Sequence, residues 1–114
     1  MATDGIPREV RVLAVTADEE YASQIETRLS AEGEVALTSL STVGEALDRL
    51  AGGARIDCIV SDHDLPDTDG IAFLEAVRAQ APNLPFILFT SEGSESLASR
   101  AISADVTDYL VKER

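Results

Sequence analysis

Short apolar runs alternate from end to end of the chain with segments whose apolar residues recur every third or fourth position. Val10 to Val15 is the first continuous run, the signature of a strand buried on both faces. Ala22, Ile25 and Leu29 then follow at helical spacing until Gly33 supplies a stop. Val35 to Leu37 reads as a short second strand. Thr42 and Glu45 have the spacing of a capping box, and Val43, Ala46, Leu47 and Leu50 form the apolar stripe of a helix ending at Gly52-Gly53. Ile56 to Ser61 is the third strand. Ile71, Leu74 and Val77, with Phe73 beside them, line a helix that stops before Pro82, and Pro85 opens a fourth strand, Phe86 to Thr90. Leu97, Ala98, Ala101 and Ile102 line the last helix, and Tyr109 to Val111 is a fifth, short strand.

Five apolar strands separated by four helices predict right-handed crossovers and a parallel sheet covered on both faces, an α/β three-layer sandwich. In such a sheet every strand ends on one edge, where open α/β folds hold their ligands. Asp62, Thr90 and Lys112, each at the end of a strand run, are therefore expected to converge. The segment Ile59-Val60-Ser61-Asp62-His63-Asp64-Leu65-Pro66-Asp67-Thr68-Asp69-Gly70 delivers Asp62 into a loop dense with further carboxylates. By itself that could be a solvated acidic turn; convergence with a hydroxyl and an ammonium group favours a site. The three groups fit phosphoryl chemistry, with Asp62 as nucleophile, Lys112 pairing with the carboxylate and then with a phosphoryl oxygen, and Thr90 bonding another. A divalent ion normally bridges such a phosphate to nearby oxygens.

A chain of 114 residues is read as one domain, 1–114. Twenty-one acidic residues against nine basic ones give a formal charge of −12, which disfavours DNA and anionic membrane as partners. No apolar stretch approaches the roughly 20 residues of a membrane span, and the start lacks a signal-peptide pattern, so a soluble, cytoplasmic protein is expected. Eight of the nine basic residues are arginine and the sole lysine is Lys112, which argues that an ammonium group is wanted there specifically. An acid-rich, lysine-poor surface is also the composition of halophilic proteins. Cys58 is alone, which excludes an internal disulfide, and reads as a small core residue. The single histidine, His63, is expected at the pocket rim, facing solvent.

The 59–70 block, Phe86-Ile87-Leu88-Phe89-Thr90-Ser91 and Asp108-Tyr109-Leu110-Val111-Lys112 together resemble a response-regulator receiver domain of two-component signalling, over nearly the whole chain. The resemblance implies a flavodoxin-like sheet of strand order 2-1-3-4-5. It implies that Asp62 is the phosphoacceptor for a histidine kinase, Thr90 the switch hydroxyl, Tyr109 an aromatic that changes rotamer with it, and Lys112 the phosphoryl contact. It implies magnesium on Asp62 and the Asp64 backbone carbonyl, a downstream output domain or protein, homodimer pairing through the fourth helix and fifth strand, and no enzyme activity beyond the domain's own phosphorylation and dephosphorylation. Two departures stand out. The family's adjacent acidic pair after the first strand is replaced by Thr16 and Ala17, with Asp18 one place on, able to reach the metal only if the loop shifts; magnesium binding is expected to be weak. The chain also stops at Lys112-Glu113-Arg114, so the family's final helix is expected to be absent and one sheet face partly uncovered. Asp105 stands where the family has glycine.

Two other readings compete. A pseudo-receiver would share the fold and signal by binding without phosphorylation, on the evidence of Thr16 and Ala17. A haloacid-dehalogenase-like phosphatase would use the Asp-x-Asp pair Asp62 and Asp64, against which stand a nucleophile outside the first strand, no further acidic motif and no cap.

Overall fold

A computed structural model describes residues 9–30, 34–91 and 93–112. Its elements run β1 (Val10–Val15), α1 (Glu19–Ser30), β2 (Val35–Leu40), α2 (Val43–Ala51), β3 (Cys58–Asp62), α3 (Gly70–Gln80), β4 (Phe86–Thr90), α4 (Glu95–Ser103) and β5 (Asp108–Val111). All strands are parallel in one sheet ordered β2-β1-β3-β4-β5, the expected topology. The stop expected at Gly33 and whatever follows Lys112 lie outside the described residues.

Local chemistry explains the helix starts. Thr42 caps α2, its hydroxyl accepting the Glu45 N–H at 3.3 Å and donating to Glu45 Oε1 at 3.0 Å. Ser94 caps α4 through the Leu97 N–H. After α2, Gly53 takes φ +85°, a conformation that favours glycine.

Strand ends moved where pairing overrode pattern. β2 continues to Leu40 rather than stopping at Leu37, because Thr38 and Ser39 pair with Leu13 and Ala14 and their polarity suits an edge strand. β3 starts at Cys58 rather than Ile56, since pairing with β1 begins at Cys58 opposite Val12. At its other end it includes Asp62, paired with Phe89.

In a parallel sheet, paired residues share a face. Leu13, Val15, Ile59, Phe86 and Leu88 project into the main core, where α2 contributes Val43 and Ala46, α3 Ile71, Phe73, Leu74 and Val77, and α4 Leu97 and Ala101. The opposite face carries Val12, Ala14 and Phe89, with α1 laid across it through Tyr21, whose ring centroid is 4.5 Å from that of Phe89. Here Cys58, Val60 and Ile87 are only partly buried and Leu110 is half exposed, so packing by the described residues is thinner on this side. Ile102 corrects the expected α4 stripe: it is 71% exposed, because Leu97 and Ala101 define the inward face and Ile102 sits about 100° further round the helix.

Asp105 takes φ 68°, the left-handed conformation that favours glycine and that Asp adopts at some cost. The turn is held by Arg78, which donates to the carbonyls of Asp105, Ala81 and Leu84, tying α3 to the loop before β5.

Candidate functional site

Asp62 ends β3 with its side chain on the α1 face and is 5% exposed. A buried carboxylate must be compensated, and Lys112 does this: its Nζ donates to Asp62 Oδ2 at 2.9 Å. Lys112 reaches that position because its backbone N–H continues the β5 ladder onto the Thr90 carbonyl at 2.7 Å. Its ammonium lies 4.5 Å from the Tyr21 ring centroid and 5.1 Å from that of Phe89, so two mutually tilted aromatics flank the charge.

Thr16 supplies a second bond to the same oxygen. Its N–H extends β1 pairing onto the Leu40 carbonyl, and its buried hydroxyl donates to Asp62 Oδ2 at 3.2 Å. The hydroxyl also accepts the Asp18 N–H at 3.1 Å. Asp18 accepts the Tyr21 N–H on Oδ1, at the start of α1, and holds Oδ2 at 4.0 Å from Lys112 Nζ. Asp62 Oδ1 is the freer oxygen, with a long 3.4 Å bond from the Asp64 N–H.

The remaining carboxylates of the acidic loop have other work. Asp69 caps α3 by accepting the Ala72 N–H at 2.8 Å. Asp67 spans to α2, accepting the N–H groups of Val43 at 3.1 Å and Gly44 at 2.9 Å. Those bonds, Gly44 first and then Val43, hold its carboxyl below the usual carboxylate range. The loop is closed by a bridge between Asp64 and Asp69 and by Gly70, whose N–H donates to the His63 carbonyl. A Cβ at position 70 would lie 2.8 Å from the Asp62 carbonyl oxygen and 2.5 Å from Leu88 Cδ1, so only glycine permits this approach of α3 to the acceptor strand.

Thr90 shares the edge but not the face. It is 1% exposed and alternates with Phe89, which puts its side chain with Leu88 on the α4 side. There it lines a cavity of about 240 Å³ with His63, Asp64, Ser94 and Leu97. His63 is half-buried at the rim of this cavity, and its Nδ1 is buried with no hydrogen-bond partner among the described residues. The Tyr109 hydroxyl is likewise buried without such a partner, close to Gly93. Cys58 is half-buried, and burial, then the Asp57 charge, pushes its thiol up, away from reactive thiolate.

The donors around Asp62 do not fit a divalent ion as they stand. A magnesium site needs near-octahedral oxygen ligands. Here Asp62 Oδ2 is taken by an ammonium and a hydroxyl, and Asp18 is engaged at the helix start. No cluster of three His, Cys, Asp or Glu side chains suited to a metal exists among the described residues. The set expected from sequence, Asp62, the Asp64 carbonyl and Asp18, is thus short of free carboxylates.

The spacing of Asp62 and Lys112 was readable from sequence; the contacts of Thr16 and Tyr21 were not. Tyr21 falls one turn before Ile25 on the inward stripe of α1, the signal that could have placed it.

The response regulator receiver domain family matches residues 12–114. The chain is 30% identical over 112 residues to the two-component response regulator ARR12 of Arabidopsis thaliana, covering 97% of this chain and 18% of that protein. It is 35% identical over 79 residues to the bacterioopsin transcriptional activator of Halobacterium salinarum, covering 69% and 12%. The structure of the chemotaxis protein CheY4 of Vibrio cholerae superposes with a TM-score of 0.83 at 28% identity, over 94% of this chain and 89% of that one. The chain thus spans less than a fifth of these two curated relatives, while it matches nearly all of the solved one.

Proposed function

The chain belongs to the response regulator receiver family, and on that premise we propose that Asp62 accepts a phosphoryl group from a histidine kinase and that the altered edge is read by an output domain or protein partner. The observation that carries this is the Lys112 ammonium 2.9 Å from a buried strand-end carboxylate. Asp62 Oδ1, the less encumbered oxygen, attacks phosphorus; the P–N bond of a phosphohistidine breaks, and its electron pair returns to the imidazole. Lys112 neutralises charge on the transferring group, and the Asp64 N–H lies beside the attacking oxygen. Asp62, Thr90 and Lys112 are the proposed reacting and responding groups, Tyr109 the aromatic that moves with Thr90. The domain has no turnover of other substrates in this reading, works in the cytoplasm and pairs with itself through α4 and β5. No described helix is long and apolar enough to cross a membrane.

The Thr16 hydroxyl on Asp62 Oδ2 favours a second reading, a pseudo-receiver that binds partners without phosphorylation. Intact mass after incubation with a small acyl-phosphate donor, with and without magnesium and at high and low salt, separates the two. A gain of one phosphoryl group that is lost in Asp62→Asn supports the acceptor; no gain in any folded condition supports the binding module.

A further inference from the structure

We propose that the pole of the sheet opposite Asp62 holds a binding site for a small organic anion, a carboxylate or phosphate on a short apolar stem. A cavity of about 230 Å³ opens there beneath the end of α2. Six arginines are described, Arg11, Arg28, Arg49, Arg55, Arg78 and Arg100, and three of them line this one cavity: Arg11 from β1, Arg49 from α2 and Arg55 from the loop before β3. In a chain of net charge −12, gathering half of its described arginines on one cavity is an exception to the composition.

The arginines are not consumed by structural duty. Arg11 lies 3.7 Å from Glu9 and Arg55 3.5 Å from Asp57, both beyond good hydrogen-bond length and with the arginine side chains about half exposed, at 50% and 47%. Arg49 makes no ion pair among the described residues. The last turn of α2 does not require them either, because the carbonyls of Asp48, Arg49 and Leu50 already accept N–H groups from Gly52, Ala54 and Gly53. Guanidinium groups recognise carboxylate and phosphate by paired donors, and an incoming anion would form shorter, charge-assisted bonds than the present pairs.

The walls set the rest of the ligand. Leu13 and Ile56 give an apolar interior and Thr38 a hydroxyl. The volume is below the roughly 300–1,000 Å³ of drug-sized sites, so a short stem fits and a large molecule does not.

The test is a titration followed by amide NMR at constant ionic strength, using n-butyl phosphate, butyrate and inorganic phosphate, with sodium chloride as control. Saturable shifts centred on Thr38, Ala54, Arg55 and Ile56 are expected with n-butyl phosphate and butyrate. n-Butyl phosphate should bind more tightly than inorganic phosphate. Arg49→Gln and Arg55→Gln, each checked for an unchanged dispersed spectrum, should each weaken binding several-fold, and the pair together at least tenfold. Asp62→Asn should titrate like the parent, which keeps this site's fate separate from that of the phosphoacceptor reading. Shifts no larger than those from chloride, equal binding of inorganic phosphate, or undiminished affinity in the double variant would overturn the proposal.

Discussion

On the α1 side of the sheet, Asp62, Thr16 and Lys112 meet in a layer that leaves Cys58, Val60 and Ile87 only partly buried. On the other side, Thr90 and Tyr109 border a layer in which Phe73, Phe86, Leu74 and Leu88 are at most 1% exposed. Charge is thus gathered on the face with the more open packing, while the responding hydroxyl borders a cavity at the edge of the densely packed one. A polar cluster can change its bonds without a cavity opening around it, and the space beside Thr90 lets that hydroxyl move while the rings behind it stay close-packed. At the end of the ladder the Lys112 N–H meets the Thr90 carbonyl, which ties the residue on one face to the residue on the other.

The largest effect should come from breaking the dense face. Phe86→Ala removes a wholly buried ring and should cost about 3–5 kcal/mol in urea unfolding. Tyr21→Ala on the thin face should cost about 1–2 kcal/mol while slowing modification of Asp62, because Lys112 loses a flanking ring. Equal stability losses would erase the contrast.

Thr16→Asp sharpens the comparison next. It exchanges the hydroxyl on Asp62 for a carboxylate, and magnesium affinity by calorimetry should rise about tenfold or more. Unchanged affinity would mean that Thr16 is not what withholds the metal.

A smaller effect belongs to Asp67, which ties the acceptor loop to α2. Asp67→Ala should cost about 1 kcal/mol by loss of capping. Its folded carboxyl titrates below its ordinary value, so the stabilisation is fully present above about pH 4 and is lost as pH falls through the folded value. The parent should therefore lose its advantage over Asp67→Ala in acid, read from urea midpoints at falling pH. Smallest of all, Asp105→Gly should raise stability by up to about 1 kcal/mol by relieving the left-handed residue, since Arg78 keeps its bond to the backbone carbonyl and gives up only an exposed 3.6 Å contact with the carboxylate.

What the sequence disclosed and what it hid follow one physical line. The strands and helices were legible because continuous apolar runs, the Thr42 capping pattern and the glycines act locally. The ends of β2 and β3 were not, because pairing across the sheet sets them: Thr38 and Ser39 look like a turn until β1 lies beside them. Convergence of Asp62 with Lys112 followed from parallel topology alone. That Thr90 belongs to the opposite face needed the register, and that Thr16 bonds a carboxylate 46 positions away needed side-chain geometry. The acidic loop was the least legible part, since nothing in its run of carboxylates tells that Asp67 and Asp69 serve helix starts.

The most direct test of the account asks which carboxylate is the acceptor. Protein treated with an acyl-phosphate donor would be reduced with borohydride, which converts an aspartyl phosphate to homoserine, and the peptide spanning 59–78 mapped by mass spectrometry. Homoserine at position 62 alone is predicted; homoserine at 64, 67 or 69, or none from folded protein under any condition, would contradict it.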